Sequence, residues 1–232
     1  MDKAEFDSFA DEYYQQHSAN IAITGEAPEY FAEYKIKVLA KQASKLGITP
    51  GSALDFGSGI GNSIPHFRHH MPSTRLVCAD VSSRSLELAQ TRFGEVSQTL
   101  LIAGQNIPAP DNQFDVTFSA CVFHHIPHEE HVHWMSELLR VTRPGGMLSI
   151  FEHNPLNPLT LRAVNTCPFD INARLIRASV LKQRFLDAGW HEPKVDYHVF
   201  FPRQLASLRT LEPHLARIPL GGQYSVSATK RS

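Results

Sequence analysis

Leu54-Asp55-Phe56-Gly57-Ser58-Gly59-Ile60-Gly61, with Asp80 closing the next apolar run, is the stretch that decides the fold. It reads as a short strand, a glycine turn and a helix beginning near Asn62. Glycines at alternating positions let the backbone turn tightly and leave room for a ligand against the main chain. The helix N-terminus behind them presents N–H groups without intrahelical partners. An acidic residue at the end of the second strand suits the two hydroxyls of a ribose. Together these features imply an adenosine-containing cofactor.

Spacing decides which one. A dinucleotide fingerprint runs Gly-x-Gly-x-x-Gly and cradles a pyrophosphate. Here Gly57, Gly59 and Gly61 run Gly-x-Gly-x-Gly, and Asn62 stands where the third dinucleotide glycine would be. Asp55 sits two residues before the first glycine; a carboxylate there repels a pyrophosphate but attracts an ammonium or sulfonium group. Asp55-x-Gly57-x-Gly59-x-Gly61 with Asp80 resembles the class I S-adenosylmethionine-dependent methyltransferases, from about Leu54 to Phe151 and more loosely to the C-terminus. The resemblance implies S-adenosylmethionine as cofactor and methyl transfer as the reaction. Two alternatives stand beside it: a nicotinamide-dependent oxidoreductase on a Rossmann fold, and a non-catalytic cofactor-binding protein. The glycine spacing and Asp55 weigh against the first, the intact cofactor signature against the second.

The 232 residues suit one domain with a substantial core. Lys and Arg total 22 against 23 Asp and Glu, so no basic excess is available to neutralise phosphates, and nucleic acid is not expected as a partner. The partner expected is a small-molecule acceptor, handled by a monomer or homodimer. Cys78, Cys121 and Cys167 are an odd, dispersed set, which suggests reduced thiols. The N-terminus has no signal pattern, and no apolar run approaches the ~20 residues of a membrane helix. Cytoplasmic residence without membrane insertion is therefore expected.

Outward from the glycine turn, strands and helices alternate. Strands are expected at 53–56, 75–79, 99–103, 114–119 and 147–151, with helices at 62–70, from Ser82 to Gly94, and 129–142. This alternation specifies an α/β, doubly wound, Rossmann-like sheet, mostly parallel. Strands at 195–201 and 223–229 bring it to seven and close it with an antiparallel last strand, as the family's sheet is closed. Helices over 2–17 and 28–46 make an N-terminal flap, residues 1–47, ahead of a cofactor-binding core, 48–152. In the second helix Phe31, Tyr34, Val38 and Leu46 form the expected buried stripe. An insertion and a helix over 174–188 occupy 153–188 and roof the acceptor pocket, and C-terminal strands with a helix over 203–217 occupy 189–232.

Ligands of open α/β sheets bind at the carboxyl ends of the strands. That rule gathers the chemistry. Asp80 is expected to accept from ribose and Val81 to pack on adenine, while Ser82 caps the next helix. Similar methyltransferases often carry an Asp after strand three that accepts from the adenine amino group. This chain has no acid there, and Gln105 or Asn106 is expected to accept through its amide oxygen instead. Ala120, at the end of strand four, completes the cofactor set. Asp115 is read as structural.

Ser119-Ala120-Cys121-Val122-Phe123-His124-His125 lacks the Asn/Asp-Pro-Pro-aromatic tetrad of many methyltransferases acting on amides. The Asp-rich metal set of catechol methyltransferases is also not evident. Both point to a metal-independent enzyme acting on a small molecule, with oxygen as the expected acceptor atom. An alcohol must lose a proton as it attacks, and histidine can take it. His125 and His124 are the candidate bases. His125 occupies the position of a catalytic histidine in phosphoethanolamine methyltransferases, which implies a tyrosine latch from Tyr13 or Tyr14. Glu152, ending strand five, is the third catalytic candidate. His128, His131 and His133 lack a fourth ligand and Cys or carboxylate support, and are read as surface histidines.

Overall fold

The computed structural model describes residues 25–94, 98–167, 170 and 172–231. The 2–17 helix and the Tyr13/Tyr14 latch lie outside those residues. At the centre of the fold is a seven-stranded sheet in the order β3-β2-β1-β4-β5-β7-β6. The strands are β1 (Ser52–Phe56), β2 (Arg75–Asp80), β3 (Gln98–Leu101), β4 (Phe114–Ala120), β5 (Thr142–His153), β6 (His191–His198) and β7 (Gln223–Thr229). β7 runs antiparallel to both β5 and β6, and the remaining pairings are parallel. The winding reverses between β1 and β4, and the ends of those two strands border the glycine turn.

The helices are α1 (Pro28–Lys45), α2 (Ile64–His70), α3 (Ser83–Phe93), α4 (His131–Val141), α5 (Pro158–Asn165), α6 (Ala178–Asp187) and the short α7 (Glu212–Leu215). Central strands such as β1 are buried on both faces, and successive side chains point to opposite sides. Leu54 and Phe56 join a core with Trp134, Leu138 and Phe185 from α4 and α6. Ala53 joins the other core, with Ile36, Ile64, Phe67 and Ala89 from α1, α2 and α3. Three helices cover one face, and α4 and α6 cover the other.

Most expected elements fall within a few residues of their predicted bounds; two strands do not, and the insertion holds a helix not expected from the sequence. β5 begins at Thr142, ahead of Pro144-Gly145-Gly146, because Gly145 N and Gly146 O pair with Lys230 and the strand tolerates the glycines beside a bulge against β4. β6 spans His191–His198 rather than 195–201. The insertion contains α5, whose start Asn157 caps by accepting from Leu159 N and Thr160 N. The buried face of α1 is also rotated from the predicted stripe: Phe31, Lys35, Ile36, Leu39 and Ala43 are buried, whereas Leu46 is 45% exposed. Asp115 is structural as expected, its Oδ2 accepting from Gly51 N and Ser52 N at 2.7 Å each.

Candidate active site

The glycine turn is anchored to the neighbouring strand: Gly57 N and Ser58 N donate to Ala79 O at 2.8 and 3.1 Å. Its three glycines do different work. A Cβ on Gly57 would lie 2.4 Å from Val122, so this glycine makes room for the loop after β4. A Cβ on Gly61 would lie 2.6 Å from Ile64 and 2.9 Å from Ala89, so this one lets the turn pack on α2 and α3 rather than on a ligand. Gly59, at φ +53°, faces open space where a Cβ would stand, inside the cavity at the strand ends.

That cavity gathers Asp55, Gly57, Gly59, Asp80, Val81 and Ala120, six of the nine residues expected to hold the cofactor. Asp80 spans its floor, Oδ2 accepting from Gly59 N at 2.8 Å and Oδ1 from Ser82 N at 2.9 Å. Ser82 Oγ accepts from Ser85 N, so the capping role falls to Ser82 as expected. Asp55 is buried and accepts from Ser63 Oγ. Burial pushes its carboxyl up to about 7, and Ser63 and Lys35 work against that rise. Ser58 Oγ is buried beside the cavity with no protein partner, a polar group left for a ligand.

Gln105 and Asn106 stand apart from the other six. Both are exposed and neither borders the cavity, because the chain leaves β3 at Leu101; Ile102 lines the cavity instead. The strand-end rule itself points to Ile102. Lys35 and Phe31 of α1 also line the cavity, and no pattern in the sequence marks Lys35, a lysine on the buried side of a helix. Lys35 Nζ donates to Cys121 Sγ at 3.3 Å. Burial alone raises the Cys121 thiol, but His153 and Lys35 together bring it down to about 6.

The catalytic candidates separate. His125 lines the cavity. His124 and Glu152 do not; they lie beneath the loop, with side chains 1% and 0% exposed. Glu152 Oε1 accepts from Val122 N at 3.2 Å and Phe123 N at 2.8 Å, and its Oε2 stands 2.6 Å from His124 Nδ1. Both oxygens of Glu152 are thus engaged by the loop and His124, and the side chain shapes that loop. Asp170, from the segment after α5, stands 3.6 Å from His124 Nε2 and 3.4 Å from His125 Nε2. Burial disfavours the charged His124 ring, yet Glu152 and Asp170 outweigh it and raise the ring to about 10. Burial lowers His125, with Asp170 opposing.

His131 is a correction. It is fully buried, not a surface group, with Nε2 donating to Ile126 O at 2.9 Å and Nδ1 facing Arg184. Its burial brings it down to about 4.

A doubly wound sheet with a carboxylate-bearing cavity at its switch point defines an α/β protein that holds a nucleoside-type cofactor. The comparisons with known proteins specify which. A family model described as a methyltransferase domain matches residues 54–150. The ubiquinone/menaquinone biosynthesis C-methyltransferase UbiE of Ectopseudomonas mendocina is 31% identical over 197 residues, covering 72% of this chain and 75% of that protein. The UbiE of Hahella chejuensis is 28% identical over 133 residues, covering 54% of this chain and 53% of that protein. Among solved structures, a Thermotoga maritima S-adenosylmethionine-dependent methyltransferase, described as a possible histamine N-methyltransferase, superposes with a TM-score of 0.67. It is 19% identical and 99% of each chain is covered. Phosphoethanolamine N-methyltransferase 2 of Haemonchus contortus, solved with S-adenosylmethionine, gives a TM-score of 0.56 at 16% identity, covering 78% of this chain and 49% of that one. The chain belongs to the class I S-adenosylmethionine-dependent methyltransferases. Its cofactor is S-adenosylmethionine, and the orphaned Ser58 hydroxyl and the open space at Gly59 fit that group.

Proposed function

We propose that this methyltransferase acts on carbon in a small-molecule acceptor, and that Asp55, Gly59, Asp80, Val81 and Ala120 hold the cofactor while His125 meets the acceptor. Bound S-adenosylmethionine supplies an electrophilic methyl group on a sulfonium. Asp55 would pair with the ammonium end, Asp80 would accept from ribose through its remaining lone pairs, and Val81 and Ile102 would pack on the base. The protein then aligns acceptor, methyl carbon and sulfur, an arrangement worth up to about 7–11 kcal/mol.

The observation that carries the choice of carbon is the 31% identity to a C-methyltransferase over most of both chains. It replaces the oxygen acceptor expected from the sequence. A ring or enol carbon becomes nucleophilic when a hydroxyl on the same π-system loses its proton, so a carbon acceptor also needs a polar group near the methyl position. His125 is the cavity-lining histidine, backed by Asp170. No described helix is long and apolar enough to cross a membrane, and Cys78, Cys121 and Cys167, none of them in a disulfide among the described residues, fit a reducing compartment.

The test is to incubate the protein with methyl-labelled S-adenosylmethionine and a panel of phenolic and enolic acceptors, then locate the methyl by NMR. A carbon-bound methyl supports the reading; a methyl found only on oxygen or nitrogen overturns it.

A further inference from the structure

The short 3-10 turn Phe123–His125 places two consecutive imidazoles side by side, with ring centroids 4.2 Å apart. Their Nε2 atoms converge on one oxygen of Asp170, at 3.6 Å from His124 and 3.4 Å from His125. One ligand-capable atom from each of the three residues lies within 4.8 Å of the others. In a tetrahedral zinc site with bonds of about 2.0–2.2 Å, ligand atoms stand roughly 3.3–3.6 Å apart. The two histidine–Asp170 separations already have that spacing.

From this geometry we infer that His124, His125 and Asp170 form a site for one divalent transition-metal ion of the zinc type, with its open position toward the cofactor cavity. The surrounding structure has the features such a site needs. Glu152 Oε2 holds His124 Nδ1 at 2.6 Å, which turns Nε2 toward the site; carboxylates behind ligating histidines do this in metal centres. Arg174 N donates to His124 O at 2.8 Å and ties the Asp170 segment to the histidine turn. Two nitrogens and one carboxylate oxygen are a borderline donor set, suited to zinc rather than to magnesium or calcium. Three protein ligands leave a fourth position, and it opens where His125 borders the cavity.

The inference rests on the same assignment of the acceptor end as the proposed function and adds a component to it. A metal there would displace the Nε2 proton of His124 to solvent, take an anionic oxygen of the acceptor at its open position and lower the pKa of the hydroxyl that supplies it. His125 then acts as a ligand, and the ion carries the polarising role.

The test uses the full chain, stripped with chelator and dialysed, with cobalt(II) as the probe and zinc(II) as competitor. The expected result is uptake of one cobalt per chain with the strong visible bands of a tetrahedral site, displaced by zinc. Asp170→Asn and His125→Gln each abolish those bands, and Glu152→Gln weakens uptake about 10–100-fold. Replacing the neighbouring His128 and His133 leaves uptake unchanged. S-adenosylhomocysteine binding reports whether each variant is folded, and should Asp170→Asn fail that check, His125→Gln decides the matter. Absence of tetrahedral bands in the parent protein, or uptake indifferent to the folded ligand variants, overturns the site. Metal uptake is read without turnover, so a protein that binds cobalt but methylates oxygen refutes the carbon reading alone.

Discussion

Glu152 Oε2 lies 2.6 Å from His124 Nδ1, while Oε1 of the same carboxylate accepts the N–H groups of Val122 and Phe123. One buried side chain therefore sets both the backbone and the first histidine of the loop. Removing it leaves two amides and the His124 ring without their partner. Glu152→Ala is expected to destabilise the fold by about 3–5 kcal/mol, the range for breaking one side of a buried ion pair. Glu152→Gln keeps an acceptor for the amides and should cost less. Urea unfolding checks both, and an alanine variant of parental stability would count against this role.

Gly59 and Gly61 predict opposite outcomes from one kind of substitution. Gly59→Val projects into the cavity, so cofactor affinity should be lost, at a stability cost limited to the backbone strain of a side chain at φ +53°, about 1–3 kcal/mol. Gly61→Val meets Ile64 and Ala89 and should show as lost stability, on the order of 1–3 kcal/mol of overpacking. Calorimetry with S-adenosylhomocysteine and thermal unfolding, run on both variants, separate the two effects.

Asp55 gives the pH dependence its sign. Burial raises its carboxyl from 3.8 to about 7, so in the cofactor-free protein its contribution to stability is full below about 4 and is lost as pH rises through 7. The cofactor's ammonium selects the ionised form. Affinity should therefore rise with pH toward 7, by up to about tenfold per unit, and level off above it. Asp55→Asn should bind more weakly with a flat profile. A parental profile that is itself flat from pH 5.5 to about 7 would remove Asp55 from the cofactor contact.

Cys121 should be the cysteine that alkylates at neutral pH. His153 and Lys35 bring its thiol down to about 6 despite burial, and it borders the cavity, whereas Cys78 and Cys167 are buried. Iodoacetamide followed by peptide mass spectrometry should find the label at Cys121, slowed by bound S-adenosylhomocysteine. Lys35→Met should raise the thiol pKa and slow labelling. Equal labelling of the three cysteines would contradict this account.

The sheet was legible because β1 and β2 announce themselves as short apolar runs ending at a glycine or an acid, and Asp55, Gly59 and Asp80 sit at those ends. The amides of Gln105 and Asn106 have the chemistry to accept a hydrogen bond, but the chain has already left the strand end there, and apolar Ile102 lines the cavity. Glu152 stands at a strand end too, yet sequence cannot tell that its two oxygens are consumed by the loop of β4. Asp170 lies far along the chain from His124, and nothing local foretells that the segment after α5 returns it to the histidine turn. His131 resembled its exposed neighbours until α6 brought Arg184 against it.

The walls of the cavity do not all come from the stretch shared with the family. The matching family model begins at residue 54 and ends at 150, yet Pro28, Phe31, Ala32 and Lys35 line the cavity, and Glu152 and Asp170 buttress its histidine edge. Exchanging the flanking segments therefore changes those walls while the shared module stays untouched. For protein engineering this makes the chain modular: a chimaera carrying residues 54–150 on a relative's flanks should keep its methyl donor and acquire the relative's taste in acceptors.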